Sequence, residues 1–510
     1  MYNYAVCRNT RNNTIWVCRQ RSGCMLFNSF EFMIFFPLVV ILFLIIPKRL
    51  RSIWLLIASY YFYMSWNPRY AVLIIFSTLI TYLSGILIER FPEERKRKWV
   101  VAGSFICNLA ILGIFKYANF ALDSLNALFS IVGISFTDRR LDLLLPVGIS
   151  FYTFQALGYT VDVYRGTIKA EKSLINYALF VSFFPQLVAG PIERSGNLLK
   201  QIQNIKELHI FNYTQMRDGL MLMFWGLFQK LVIADRASIC VNNIYNSYSD
   251  YSITELSVAT ALFAFQIYCD FAGYTNIARG AAKVMGFTLM DNFRQPYLST
   301  SIGEYWRRWH ISMTTWFRDY LYFPLGGSRK GTLRKYINIT IVFLVSGLWH
   351  GASWHYVAWG MVNALFQIIE DIRDRMIRRF TKAKSSVSLP GRCIRVCINF
   401  IFICFTLIFF ASGSTHMAVD IIRRMITQPA TFAMSGFGID TADWITLIAA
   451  LILLIAVDII HECGISITSF INSKRLWFRF IIYAGAIWSI ILFGIYGTGY
   501  DTGQFIYFQF

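Results

Sequence analysis

The stretch VSGLWHGASWH, Val345 to His355, sets a histidine at the end of an apolar run and surrounds it with glycine, serine and tryptophan. An ionisable side chain is costly in lipid or in a dry protein interior, so one kept there faces a partner, a cavity or a reaction. The flanking sequence says which surroundings these are. Upstream stands the basic loop GGSRKGTLRK, Gly326 to Lys335; downstream, between Arg373 and Arg395, come Arg375, Arg378, Arg379, Lys382 and Lys384. Short basic loops beside apolar runs mark the cytoplasmic side of a membrane protein. Residues 336–370 must then enter the bilayer and return. Tyr336 to His350 spans roughly fourteen residues, or ~21 Å of helix, against a hydrocarbon core of ~30 Å. The spacing predicts a hairpin with His350 at its turn, still at membrane depth. Gly347 and Gly351 allow close backbone approach or a break there.

The whole chain agrees with a membrane reading. Of its 510 residues 56% are hydrophobic, 17% aromatic and only 15% charged, whereas soluble domains average ~25% charged. Length alone suggests about two or three soluble domains. Apolar runs long enough to cross a bilayer override that prior. They fall at about 31–47, 52–66, 70–88, 99–115, 122–136, 141–164, 174–190, 216–234, 255–272, 336–349, 353–370, 396–412, 443–460 and 476–498. They lack the period-two alternation of barrel strands. The expected fold is an all-α polytopic membrane protein, one membrane domain over 25–510, with short or re-entrant hairpins where Pro146, Pro185 and Pro191 interrupt apolar sequence. The net charge of +20 is topology charge in the loops rather than a nucleic-acid footprint, since no basic-aromatic motif accompanies it. Ten cysteines without a CxxC pair read as small hydrophobes, with no zinc site and no disulfide framework.

Residues 1–24 differ from the rest: they are polar and carry Arg8, Arg11, Arg19 and Arg21. From Met25 the sequence MLFNSFEFMIFFPLVVILFLIIPKRLR opens as a membrane start with no small-residue cleavage site. Met25 is the expected biological start, and 1–24 a dispensable extension. The N-terminus then lies outside, with the KRLR loop and the later loop ERFPEERKRK, Glu89 to Lys98, both in the cytoplasm.

A second histidine lies in SIGEYWRRWHISMTTWFRDYLYFPLGG, Ser301 to Gly327. At 100° per residue, Trp306, Trp309, Met313, Trp316, Phe317 and Tyr320 share a face, while Arg307, Arg308, Thr315, Arg318 and Asp319 take the rest. This predicts an amphipathic interfacial helix, with His310 on its aromatic face and stacked at i, i+4 on Trp306. His355 reads as structural, as do His209, His416 and His461 near run ends. Two histidines without a carboxylate or cysteine at ligand spacing do not make a metal site. Further polar residues stand in apolar surroundings: Gln155 and Asp162, Gln186, Glu193 and Arg194, Lys230 and Asp235, and Asp270 between Tyr268 and Tyr274. Intramembrane carboxylates face protein or water, so together these imply a polar tunnel. A transporter would have one too.

Five stretches in order carry a resemblance: LPVGISFYTFQALGYTVDVYRG, FFPQLVAGPIER, QIYCDFAGYTNIARG, FRQPYLSTSIGEYWRRWHISMTTWFRDYLYFPLGGSRKG and VSGLWHGASWHYVAWG. From Met25 to its end the chain resembles the membrane-bound O-acyltransferases, in particular their alginate O-acetyltransferase-like bacterial branch. The FPLGGSRKG continuation favours that branch over the D-alanyl transferases of teichoic acids. The family's signature histidine falls on His350 and its second histidine on His310. The usual DFSGYSD pattern reads DFAGYTN here, which keeps Asp270 and leaves the roles of Ala272 and Asn276 in doubt.

The resemblance implies acyl transfer from a thioester, acetyl-CoA as co-substrate, to a hydroxyl, at the bacterial inner membrane and with no tightly bound cofactor. Such chemistry needs a base and a place without water; histidine, neutral near pH 7, supplies the first. His350 is then the expected base, directly or through an acyl-histidine. His310 would orient, stabilise the oxyanion or guide the donor. Asp270, Asp235 and Trp306 are expected to support the site, and Arg307, Arg308 and Arg318 to attract the donor's phosphates. The acceptor would be a polysaccharide or a partner extracytoplasmic acetyltransferase. The alternatives are D-alanyl transfer of the teichoic-acid type and a transporter for a polysaccharide or its lipid carrier; the sequence shows no inverted repeat for the latter.

Overall fold

The computed structural model describes residues 4–8, 15–19, 25–133, 140–141, 146–188, 190–208, 211–380, 388–496 and 505–506. His209, Lys382 and Lys384 lie outside them. From Met25 onward every regular element described is helical. The strands among the described residues are Tyr4–Arg8 and Ile15–Arg19, an antiparallel ribbon pairing Tyr4 with Arg19 and Arg8 with Ile15.

Among the described residues six helices are long and apolar enough to cross a membrane: Pro68–Arg90, Glu94–Ser130, Ile253–Val284, Leu389–Ala411, Thr441–Glu462 and Leu476–Phe493. The chain is a multi-pass membrane protein. The expected run at 99–115 and the first part of that at 122–136 share a single 37-residue helix, Glu94–Ser130. It passes through a π-helical turn at Gly113–Tyr117 instead of breaking there.

Helix Ile253–Val284 is the central one. A capping box starts it, the Ser252 side chain accepting from the Glu255 amide and the Glu255 carboxylate from the Ser252 amide. Its apolar window is 72% buried, whereas that of Leu476–Phe493 is 0% buried and faces outward. Helix Tyr213–Phe228 lies against it along a seam of glycines. A Cβ on Gly226 would stand 2.4 Å from the Gly273 carbonyl oxygen, and one on Gly280 2.5 Å from that of Gly219. Only glycine lets two helices meet at backbone distance in this way, which is how helices associate where lipid removes the hydrophobic drive.

The predicted hairpin is present as helices Thr332–His350 and Trp354–Phe380. Its first arm is longer than the sequence implied. The basic turn before Tyr336 is already helical, so the arm has 19 residues. That is ~28 Å, close to the ~30 Å of a hydrocarbon core. His350 therefore ends an arm about as long as that core is thick, and surrounding protein keeps it from solvent. A Cβ on Gly347 would sit 2.3 Å from the Tyr356 carbonyl oxygen, and one on Gly360 2.3 Å from that of Phe343. The two arms thus touch backbone to backbone at two levels.

Candidate active site

His350 is the last residue of its helix. It is buried, with Trp349, Trp359 and Phe410 presenting rings at 4.9, 5.0 and 5.3 Å between centroids. Gly351 must follow it, because a Cβ there would fall 2.1 Å from the Tyr356 ring. Beside His350 lies a narrow cavity of about 10 Å³, room for about one water, walled mainly by Tyr305, Trp306, Trp309, Trp359 and Phe410.

The helix expected over Ser301–Gly327 is broken, and it breaks at the histidine. Ile302–Arg308 and Ile311–Phe317 are separate helices. Trp309 between them is extended and His310 is left-handed, with φ 44°. Few non-glycine residues adopt that backbone. Neighbouring main chain fixes it: the Arg294 amide donates to the Arg308 carbonyl and the Ile311 amide to that of Asn292, both at 2.9 Å, bracketing the break. The predicted Trp306–His310 stack gives way accordingly. Trp306 turns to Phe343 and Trp359. His310, fully buried, turns to Phe271 at 4.6 Å and to Trp349 at 5.8 Å. Trp349 thus lies against both histidines.

His310 also has a defined tautomer. Its Nδ1 is 3.1 Å from Asn292 Oδ1. That oxygen accepts from the Ser312 backbone amide at 3.3 Å and the Ser312 hydroxyl at 2.9 Å. A backbone amide can only donate, so the atom facing His310 is the Asn292 oxygen, and Nδ1 must carry a proton to meet it. In the neutral ring the lone pair is then on Nε2. The Ser312 hydroxyl in turn accepts from the Ile192 amide at 3.0 Å, tying the AGPIER segment to the same knot. Asn292 is a residue the sequence reading missed. It lies one position before the quoted FRQPYLS stretch, and only the backbone break brings it to His310.

Of the expected supporting residues, Trp306 walls the cavity beside His350, and the two aspartates fall elsewhere. Asp235 and Asp270 both pair with Lys230, buried together, and Asp270 Oδ2 accepts from the Ile506 amide at 2.8 Å. This ties the π-helical turn Gln229–Ala234 and the C-terminal segment to the central helix. The other polar residues likewise bond within the protein. Asp162 accepts from Ser195 at 2.6 Å and Tyr320 at 2.7 Å, Glu193 from the Met290 amide at 2.6 Å, and Gln155 donates to the Phe180 carbonyl at 2.5 Å. His355 Nδ1 is 2.8 Å from the Ser353 hydroxyl. Among the three arginines, Arg308 pairs with Glu304 and Glu462, and Glu462 also takes Arg392. Contacts with both carboxylates hold the Arg308 guanidinium above its ordinary value. Arg318 pairs with Asp319, and Arg307 is exposed. Among the described residues no three His, Cys, Asp or Glu side chains gather as a metal set.

Residues 168–412 match the membrane-bound O-acyltransferase family, MBOAT. A probable alginate O-acetylase, AlgI, of Pseudomonas putida is 39% identical over 68% of this chain and 70% of its own length. The chain belongs to the MBOAT family. A peptidoglycan O-acetyltransferase of Helicobacter pylori is 31% identical over 74% of this chain and 73% of its own length. A teichoic acid D-alanyltransferase of Bacillus subtilis is 26% identical over 53% of this chain and 69% of its own length. The matched region spans both histidines, the central helix and the hairpin, and leaves out the helices before it and those after Ser412. As an MBOAT protein the chain is an O-acyltransferase, and the helical membrane architecture expected from the sequence is the one found.

Proposed function

We propose that this O-acyltransferase moves an acetyl group from cytoplasmic acetyl-CoA toward a polysaccharide hydroxyl outside the bacterial inner membrane, with His350 as general base. The observation that carries the reading is the pair of buried histidines that both rest against Trp349, one of them beside an aromatic-walled cavity. The names of the more similar relatives, an alginate O-acetylase and a peptidoglycan O-acetyltransferase, supply the acetyl group and the polysaccharide. The acceptor is the polysaccharide itself or a serine of a partner extracytoplasmic acetyltransferase.

The His350 imidazole takes the proton of the acceptor hydroxyl as its oxygen attacks the thioester carbonyl. The tetrahedral intermediate expels the thiolate, which recovers that proton from the imidazolium, leaving an O-acetyl ester and free thiol. The aromatic wall keeps water from competing for the thioester. An oxyanion role for His310 requires a donor nitrogen. Its Nδ1–H is given to Asn292, so the neutral ring offers an acceptor. His310 therefore suits the guiding role: Nε2 accepts an amide N–H of the donor's pantetheine arm and fixes the thioester beside His350. At the basic end Arg307 and Arg318 serve the donor's phosphates, while Arg308 is committed to Glu304 and Glu462.

The test is transfer of radiolabelled acetyl from acetyl-CoA by protein in nanodiscs, with O-acetylatable polysaccharide on the opposite face and a D-alanyl thioester offered in parallel. Labelled polysaccharide ester, absent without the protein, is the expected result. Transfer from the D-alanyl thioester alone would favour the teichoic-acid type, and label moved by neither donor would sink the reading.

A further inference from the structure

An α-helix leaves its last four carbonyls without an intrahelical partner, and inside a membrane protein each must find a donor elsewhere. Helix Thr332–His350 ends on the proposed base, so these four carbonyls belong to Gly347, Leu348, Trp349 and His350. Gly347 receives the Gly351 amide at 3.3 Å. The other three are satisfied by two consecutive side chains from another helix. The Tyr117 hydroxyl donates to Leu348 at 2.7 Å, and Lys116 Nζ donates to Trp349 at 2.6 Å and to His350 at 3.3 Å. The third ammonium proton reaches the Ser150 hydroxyl at 3.4 Å. An ammonium group has three donors, and each has an acceptor here.

Adjacent residues on a regular α-helix point about 100° apart and do not share a target. Lys116 and Tyr117, which end the π-helical turn Gly113–Tyr117 within Glu94–Ser130, do. Such one-turn bulges re-aim side chains and recur at functional sites. The cation also meets the negative end of the helix dipole.

We propose that Lys116 and Tyr117 are positioning residues for His350: the π-turn delivers an ammonium and a phenol that together cap every open carbonyl of the base's own helix end and so fix where its imidazole stands. Neither residue has to touch substrate. The proposal rests on His350 as base, but the cap is measurable without any substrate.

The variants are Lys116→Met, which keeps length and removes all three donors, and Tyr117→Phe, which keeps the ring and removes one. Two quantities are read on the full chain in nanodiscs. The first is amide hydrogen exchange of the 345–353 segment, compared with segments of helix Thr441–Glu462. The second is kcat and KM for acetyl transfer. With the cap removed, the last turn should open more readily, so exchange in 345–353 rises about tenfold in Lys116→Met while the remote helix is unchanged. A misplaced base costs turnover, so kcat falls about tenfold or more with KM within about twofold. Tyr117→Phe shifts both in the same direction by a few-fold, and it decides alone if Lys116→Met does not accumulate. Unchanged exchange in 345–353 overturns the cap. Faster exchange with unchanged kcat, or a loss confined to KM, overturns the positioning role and leaves a structural tie. A wild-type protein inert toward acetyl-CoA overturns the donor reading above, and the exchange result then judges the cap by itself.

Discussion

His350 and His310 rest against one indole, that of Trp349, yet the chain holds them in opposite ways. His350 ends a regular helix, and helix-end chemistry places it: glycines that let the returning arm close in, and carbonyls capped from a neighbouring helix. His310 interrupts a helix and sits in left-handed backbone, held by the Asn292–Arg294 segment beside it and by a side-chain bond to Asn292. The first arrangement fixes a ring by making its helix stiff. The second fixes a ring by spending local backbone strain, of order 1–3 kcal/mol at such positions, to point it where no helix would. Strain of that kind persists where surrounding contacts over-determine it, and here they do.

The largest test of this contrast is loss of each ring. His350→Ala should lower acyl transfer by ~10²–10⁴-fold, the range of a general base. His310→Ala should lower it less and act chiefly through donor KM. Equal losses in kcat for both, in folded protein, would erase the proposed division of labour. Next comes the helix-packing side of the contrast. Gly347→Ala forces a methyl to within 2.3 Å of a backbone oxygen, and should cost ~2–3 kcal/mol of stability, in the range of overpacked cores. A thermal melt in detergent reads it, and an unchanged melt would mean the arms can part without penalty.

Asn292 tests the other side. Asn292→Ala removes the acceptor from His310 Nδ1 and should raise donor KM about tenfold, on the scale of a buried donor left unmet. Asn292→Asp keeps an oxygen there and should reverse most of that rise. If Ala and Asp behave alike, the tautomer is not what Asn292 provides. The backbone itself gives a smaller and sharper effect. At position 310 glycine should be more stable than alanine by about 1–2 kcal/mol, because only glycine adopts left-handed backbone freely. At position 350, within a helix, alanine should be more stable than glycine by about 1 kcal/mol. Stabilities of the four variants in one denaturant series would show the crossover or its absence. The smallest expected effect is at the start of the chain: removing residues 1–24 should leave membrane insertion and transfer unchanged, as measured by fractionation and activity.

The contrast also divides what could be read from the sequence. The hairpin, its glycines and a buried His350 follow from hydropathy and loop charge, because a regular helix repeats the same rule at every residue. Only the length of its first arm differs, since Thr332–Lys335 looks like a loop by charge but is helical. Around His310 the same periodicity argument predicted one continuous amphipathic helix. It had no means of seeing that backbone bonds from residues 292 and 294, distant in sequence, would outcompete the helical bond at a single step. The π-helical turns escaped for a related reason. Each adds one residue to a helical turn, at Gly113–Tyr117, Ser195–Leu199, Gln229–Ala234 and Arg318–Tyr322, and each places polar side chains against another element. A wheel drawn at a constant angle puts those side chains on the wrong face. Lys116 and Tyr117, unremarked in an apolar run, are the plainest case.

The glycine seam between helices Tyr213–Phe228 and Ile253–Val284 reaches further than its own contact. Gly219 and Gly226 meet Gly280 and Gly273 at their backbone carbonyls, with Val284, Ile277 and Met223 packed around them, so a changed rotamer cannot clear the nearest contact. Phe271, two residues from Gly273, rests its ring against His310 at 4.6 Å. A methyl group added at Gly226 could be relieved only by moving the central helix as a body, and Phe271 would carry that movement to His310. Inheritance at such a position should therefore look catalytic: a variant that touches neither substrate nor histidine, keeps the protein in the membrane, and is silent in activity.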